Sequence, residues 1–212
     1  MLIPTPQSFW DERFSPEIYA YGERASRLLH AHRDAFAPGM TALVPGCGEG
    51  RDAVFLAKCG LNVTAVDLSA SGLRKAKALA ERHNVSVNWV QADLSEWDWG
   101  TARYDIIASI FIHTPSQIRK PLHHTMLNSL RPGGQIYLEG FTKDQIAYQE
   151  SHGSGGPDNP DMLFDPADLQ DDFKEAEQRA LWVGTEHLDE GPYHTGSAAL
   201  VRAIFKKREA SE

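Results

Sequence analysis

The chain predicts an α/β fold built on a doubly wound parallel sheet, and three observations carry that expectation. Leu43-Val44-Pro45 is a short apolar run closing on Gly46-Cys47-Gly48-Glu49-Gly50, where three glycines at alternate positions precede the amphipathic stretch Arg51 to Lys58. It reads as strand, tight loop and helix start, because glycine takes positive φ and leaves no Cβ between the backbone and a ligand. A second run, Leu61 to Val66, ends at Asp67. That acid stands about 20 positions beyond the loop, where α/β nucleotide sites hold the two ribose hydroxyls. Strand-like and helix-like segments then alternate, which implies parallel pairing through right-handed crossovers.

The elements follow in order. Ser15-Pro16 opens an N-terminal helical region running through Leu28 and Leu29 toward Ala35. Arg51 to Lys58 carries Ala53, Val54, Leu56 and Ala57 on one side and stops at Gly60, a left-handed cap. Ser69 caps the next helix, in which Leu73, Ala76 and Ala80 recur at helical spacing, and Arg74, Lys75 and Lys77 form a basic face expected to be solvated. A third strand, 85–92, ends at Asp93-Leu94, and a fourth spans 104–112. The helix containing Leu122, Met126, Leu127 and Leu130 must hold Pro121 in its first turn or be kinked by it. Leu130-Arg131-Pro132-Gly133-Gly134 turns into a fifth strand, 135–139. His152 to Asp161 is the one long irregular stretch, and loops of that length inside a compact domain serve as lids or binding loops. Asp165-Pro166 reads as an N-cap followed by proline at the first helical position. Two last strands, 177–186 and 198–206, can pair as a hairpin.

The third glycine narrows the cofactor. A dinucleotide fingerprint continuing from Gly46 and Gly48 requires glycine at position 51, where this chain has Arg51. The spacing G-x-G-x-G resembles the first motif of the class I S-adenosylmethionine-dependent methyltransferases, and the later segments fit in order over residues 8–142. That resemblance implies S-adenosyl-L-methionine as cofactor and a Rossmann-like, seven-stranded, mostly parallel sheet with an antiparallel last strand and helices on both faces. It implies cofactor contacts from Gly46, Cys47, Gly48, Gly50 and Arg51, a ribose acid at Asp67 with Leu68, an adenine-binding acid at Asp93 with Leu94, and Ser109, Ile110 and Phe111 under the methionine tail. Leu43 to Gly48 is similar to the thiopurine and halide or thiol methyltransferases. Phe9-Trp10-Asp11-Glu12-Arg13-Phe14 and Asp189 to Gly196 are similar to small bacterial enzymes of the tellurite-resistance type. Many members carry an acid two residues before the first glycine; here it is Val44, so its contact must be supplied elsewhere, with Arg51, Arg13 or Glu49 as candidates.

Bulk properties bound the rest. A chain of 212 residues is long enough for one α/β domain. The expected organisation is a single domain over 1–212, with an N-terminal helical cover at 8–36, a cofactor core at 40–142, and a lid loop and hairpin at 148–208. The net charge of −8 argues against sequence-independent binding of nucleic acid. No apolar run reaches bilayer length, and Met1 to Phe14 shows no secretory h-region. Cys47 and Cys59 suggest no disulfide framework, so a cytoplasmic location is expected. No Cys or His stands beside Cys47 at metal-ligand spacing, so Cys47 reads as a small loop residue and no metal is expected.

Methyl transfer from a sulfonium is an in-line displacement, so the protein mainly aligns donor and acceptor and keeps the acceptor unprotonated. Tyr19, Tyr21, Phe14, Trp10 and Phe111 offer ring faces to a positive cofactor or serve as core. His113 follows the fourth strand and reads as a general base for a thiol, hydroxyl or acid, or as a structural residue at the next helix. Tyr21, Glu139 and then His194 follow it as candidates, and Tyr193 can approach the same rim. The expected acceptor is a small molecule entering under residues 148–162, with no nucleic acid or membrane partner. Two other classes stand beside this one: a nicotinamide-dependent oxidoreductase, against which Arg51 counts, and a non-catalytic cofactor-binding protein.

Overall fold

The computed structural model describes residues 6–209. Met1 to Thr5, which belong to the leader reading, lie outside the described residues. Seven strands form one sheet of order β3-β2-β1-β4-β5-β7-β6. By contact grouping, the chain forms two compact units, one comprising the described residues up to Trp97 with Glu190–Tyr193, the other Asp98–Asp189 with the described residues from His194.

In the first unit come α1 (Pro6–Arg13), α2 (Arg27–Ala31), β1 (Thr41–Pro45), α3 (Arg51–Lys58), β2 (Asn62–Asp67), α4 (Ala70–Arg82) and β3 (Asn88–Gln91). β1 pairs with β2 and β2 with β3, both parallel. β1 beyond Thr41 and the end of β2 are buried, as expected of strands covered on both faces. α3 and α4 pack on these strands, and Val54, Leu79 and Ala80 form a core cluster. Full burial of a valine or leucine side chain such as Val54 or Leu79 contributes about 1.5–3 kcal/mol.

The sequence placed a helical region from Ser15 onward, but residues 14–26 have no helix. Helix begins only at Arg27, where the Ser26 hydroxyl accepts from Leu29 N–H. Contacts distant in sequence hold the irregular segment instead. Lys75 Nζ donates to the carbonyls of Pro16 (2.7 Å) and Ile18 (2.8 Å) and pairs with Glu49, and Tyr19 Oη donates to the Lys75 carbonyl (3.0 Å). Lys75 therefore does not belong to the solvated basic face; Arg74 and Lys77 do. Asp52 accepts from Ser26 N–H at 2.8 Å.

The second unit holds β4 (Tyr104–Ile110), α5 (Ser116–Ser129), β5 (Leu130–Phe141), α6 (Gln145–His152), α7 (Pro166–Asp172), β6 (Glu177–Asp189) and β7 (Thr195–Lys206). β4 and β5 are parallel, whereas β7 lies antiparallel to both β5 and β6. The expected glycine turn at 130–134 lies inside β5 as an irregularity, with the register shifting between Tyr104 and Ile106. Pro121 sits in the second turn of α5, which rules out the first-turn placement and leaves the other alternative, a proline inside the helix. Asp165 caps α7 through Ala167 N–H at 3.0 Å, ahead of Pro166, as expected. The irregular stretch begins after α6 and is strapped down. Gln145 Nε2 donates to Ser154 Oγ and the Gly155 carbonyl (both 2.8 Å), and Gln149 Nε2 to the carbonyls of Gly155 and Pro157 (both 3.1 Å).

Two glycines separate crowding from conformation. A Cβ at Gly50 (φ +88°) would meet Ala76 Cβ at 2.6 Å, whereas one at Gly153 (φ +62°) meets nothing within 4 Å. Gly50→Ala is expected to cost about 3 kcal/mol, overpacking added to left-handed strain, and Gly153→Ala about 1 kcal/mol from strain alone. Urea denaturation followed by circular dichroism checks both; equal costs would contradict the packing assigned to Gly50.

Candidate cofactor and acceptor site

The glycine loop takes the conformation its composition suggested, with Gly46, Gly48 and Gly50 at φ +56°, +51° and +88°. Cys47 N–H donates to the Val66 carbonyl and Gly50 N–H to that of Cys47, closing a tight turn between β1 and α3. Asp67 fixes it. Its Oδ2 accepts from Gly48 N–H at 2.6 Å and its Oδ1 from Ser69 N–H at 2.8 Å. The carboxyl is 7% exposed, and burial raises its pKa against these amide bonds. A carboxylate offers about four acceptor positions, so the two amides orient it while leaving capacity for a sugar diol. The last β2–β3 pair is Asp67 with Gln91, and Ala92 N–H donates to the Asp67 carbonyl at 3.1 Å. Asp93 thus follows immediately at the neighbouring strand end. Its Oδ1 takes both the amide (2.8 Å) and hydroxyl (2.7 Å) of Ser95, which hold its pKa down and keep it ionised. The two acids therefore stand at adjacent strand ends beside the glycine loop, whose missing side chains at Gly48 and Gly50 leave room for Phe14 and for Ala76 with Trp89.

The N-terminal motif Phe9 to Phe14 forms a cover over this loop. Asp11 Oδ1 accepts from Ser69 Oγ (2.7 Å) and Ser71 N–H (3.0 Å), pinning α1 to the first turn of α4 and lowering the Asp11 pKa. Phe14 is buried, and a Cβ on Gly48 would meet its Cζ at 3.2 Å. Trp10 stacks on Phe14 at 5.4 Å, and Tyr21 meets Phe14 edge-on at 6.2 Å.

Of the candidates for the contact that Val44 does not make, two hold the cover instead. Glu49 accepts from Ala20 N–H at 2.8 Å and pairs with Lys75; burial raises its pKa, opposed by that lysine. Arg51, expected at the cofactor, is 7% exposed, pairs with Glu190 at 2.9 Å and donates to the Tyr21 carbonyl at 2.8 Å. Cys47 is buried, which pushes its thiol pKa well up, as befits packing. Among the described residues no group of His, Cys, Asp and Glu is placed to hold a metal ion.

The predicted proton acceptors are engaged otherwise. In the second unit, His113 Nε2 accepts from Phe141 N–H at 3.2 Å, which puts the ring proton on Nδ1 and toward the Met162 carbonyl at 2.9 Å. With both nitrogens bound to backbone and burial lowering its pKa to about 4, His113 is a neutral structural residue rather than a base. Glu139 is fully buried and takes Arg202 Nε at 2.6 Å, while Arg202 reaches both oxygens of Glu186 at 2.7 and 2.8 Å. Its role is a cross-strand ion network, not proton abstraction. In the first unit, Tyr21 Oη accepts from Arg13 Nη1 at 3.1 Å, and burial raises the phenol pKa, so it remains protonated near neutrality. His194 packs on Phe111 and Phe141, with centroids at 4.4 and 5.2 Å. Ser109 and Ile110 end β4 as expected, buried, and Phe111 follows in a left-handed conformation (φ +54°), its N–H donating to the Glu139 carbonyl at 2.7 Å. Such strain in a phenylalanine is characteristic of functional strand ends.

Sequence reasoning missed Asp11, Lys75 and Glu190 as organising residues. Asp11 and Glu190 lay in segments whose only signal was family resemblance, since their partners are 58 and 139 positions away.

Loop, acids and cover stand together at one end of β1, β2 and β3, and the comparisons with known proteins bear on what such a constellation serves. Residues 42–134 match the family model described as a methyltransferase domain. The chain is 30% identical over 109 residues to the ribosomal protein L11 methyltransferase of Burkholderia thailandensis, covering 51% of this chain and 34% of that protein. It is 30% identical over 124 residues to the ubiquinone biosynthesis O-methyltransferase of Coxiella burnetii, covering 58% and 52%. The chain thus spans about half or less of the length of these curated relatives. The crystal structure of TehB from Haemophilus influenzae shares the fold at a TM-score of 0.68 and 15% identity, covering 95% of this chain and 67% of that one. Residues 42–134 are thus similar to a methyltransferase domain, and the chain shares its fold with TehB.

The pKa of His113 has a consequence for stability. Its folded value lies below the ordinary imidazole value of 6.5, so its contribution is fully present above about pH 6.5 and is lost as pH falls toward 4. The loss is about 3 kcal/mol over that window. His123 is lowered too, mainly by burial, so the comparison must be with His113→Gln, whose stability should fall less steeply from pH 6.5 to 4 in chemical denaturation. Parallel profiles would contradict the assignment of both His113 nitrogens.

Proposed function

We propose that this protein is an S-adenosylmethionine-dependent methyltransferase acting on a small-molecule acceptor. The observation that carries the reading is the Asp67 carboxylate, held by Gly48 and Ser69 at the end of β2 with Asp93 at the next strand end. In this reading Asp67 accepts the ribose hydroxyls, Asp93 and Leu94 meet the adenine edge, and the backbone of Gly46 to Gly50 borders the amino-acid portion. The methyltransferase-domain match and the methyltransferase relatives support the same cofactor. Held by Asp67, Asp93 and the loop backbone, S-adenosylmethionine would supply an activated methyl group for in-line transfer to an acceptor lone pair.

The chain's own contribution is alignment and exclusion of water. Phe14, Trp10 and Tyr21 cover the loop and offer ring faces to a cationic centre, an attraction of about 0.5–2 kcal/mol per favourable pair. With His113, Glu139 and Tyr21 committed to other bonds, the acceptor is read as a group whose lone pair is available without deprotonation by any of the three. A small acceptor is preferred over a macromolecule because the cover is built from short-range aromatic contacts and the chain is acidic. No helix among the described residues is long and apolar enough to cross a membrane.

Titration calorimetry with S-adenosylhomocysteine tests this. Wild type is expected to bind, and Asp67→Ala to lose at least about tenfold in affinity, equivalent to about 1.4 kcal/mol. Absence of binding to wild type, with binding of a nicotinamide dinucleotide instead, would replace the reading with an oxidoreductase. A product-release assay over an acceptor panel then identifies the acceptor, and no turnover with any would favour a non-catalytic cofactor-binding protein.

A further inference from the structure

Arg13 ends α1 as a half-buried guanidinium, in a chain of net charge −8, and no carboxylate pairs with it among the described residues. The other cations around the cover are matched: Arg51 has Glu190, Lys75 has Glu49, and Arg82 has Glu23 at 3.0 Å. Arg13 has rings instead. Its Cζ lies 3.9 Å from the centroid of Tyr193 and 5.1 Å from that of Phe9, and Nη1 donates to Tyr21 Oη. A cation held over ring faces is positioned without using its hydrogen-bond donors. The group carries five N–H donors in a fork matched to two parallel bonds with a carboxylate, and among the described residues one of them is used, on Tyr21. The next residue, Phe14, is the ring that lies against Gly48. Tyr193 is held in place by its own N–H, which donates to the Ala20 carbonyl at 3.3 Å, and by Gly191, where a Cβ would strike the Gly22 nitrogen at 2.5 Å. A fixed, uncompensated fork therefore stands one residue from the cover of the cofactor loop.

We propose that Arg13, clamped by Tyr193 and Tyr21, is the seat for a carboxylate or similar oxyanion on a ligand bound at the glycine loop. The proposal rests on the reading of that loop as the S-adenosylmethionine site. The anion has two sources: the amino-acid carboxylate of the cofactor, or an anionic acceptor. If it is the acceptor, the charge balance is simple. The acceptor's lone pair forms the bond to the methyl carbon, the carbon–sulfur bond breaks toward sulfur, and the sulfonium charge disappears with no proton to remove.

Calorimetry on wild type, Arg13→Gln and Arg13→Lys separates the sources. The probes are S-adenosylhomocysteine, 5′-methylthioadenosine, which lacks the amino-acid end, and benzoate against benzamide on the S-adenosylhomocysteine complex. With the cofactor carboxylate as occupant, Arg13→Gln loses at least tenfold for S-adenosylhomocysteine and stays within twofold for 5′-methylthioadenosine. With an anionic acceptor, S-adenosylhomocysteine is unaffected, while benzoate binding falls at least tenfold and benzamide does not change. Arg13→Lys, which keeps the charge without the fork, falls between in either case. The proposal is overturned if Arg13→Gln stays within twofold for every probe, or if S-adenosylhomocysteine and 5′-methylthioadenosine weaken together, which would report a displaced cover rather than a lost anion contact. If neither nucleoside binds wild type, the cofactor reading itself fails, and benzoate against benzamide on the free protein decides the seat alone.

Discussion

The Asp67 carboxylate joins three elements that otherwise have no reason to meet in one geometry. By accepting from Gly48 on one oxygen and Ser69 on the other, it couples the end of β2 to the glycine loop and to the first turn of α4. Ser69 is then placed to cap α4 through Gly72 N–H and to donate to Asp11, which brings α1 and its aromatic residues over the loop. Remove the carboxylate, and the loop amide, the helix cap and the cover all lose a common reference. A buried carboxylate is costly unless its oxygens are bonded, so the cost of Asp67 enforces the loop conformation.

The cover shows how charge specifies geometry without adding much stability. Glu49 with Lys75 and Arg51 with Glu190 are buried or nearly so, and pairs of that kind roughly offset their own desolvation. What they provide is uniqueness. Residues 14–26 have no regular hydrogen-bond ladder, so their backbone groups need specific partners, and Lys75, Glu49 and Asp52 supply them one by one. A comparable network, Arg202 with Glu139 and Glu186, ties β7 to its two neighbours in the second unit.

This use of ionisable groups bears on the chemistry. Side chains that resembled bases from their position at strand ends serve as cross-strand or backbone partners, and burial drives His113 toward its neutral form. A reaction that transfers a methyl group from a cation needs an aligned lone pair more than a proton shuttle, so an architecture spending its titratable groups on alignment is consistent with it. Arg13 is the exception, positioned by rings and left with donors to spare.

The alternation of elements, the glycine loop, the acids at the strand ends and the hairpin were all legible in the sequence, because each is encoded by short-range rules: backbone freedom at Gly46 and Gly48, periodicity in α3 and α4, capping at Ser69 and Asp165. The segment 14–26 was misread as helix because its pattern is local while its stabilising partners, Lys75 and Glu49, lie far along the chain. His113 and Glu139 looked catalytic for the same reason, since a sequence shows which group a position carries but not which donor or acceptor faces it. Only the folded chain determines that Asp11 meets Ser69, that Arg51 meets Glu190, and that Arg13 finds aromatic rings in place of an acid. Hydrogen bonds and ion pairs act over a few ångströms in space and carry no trace of their sequence separation.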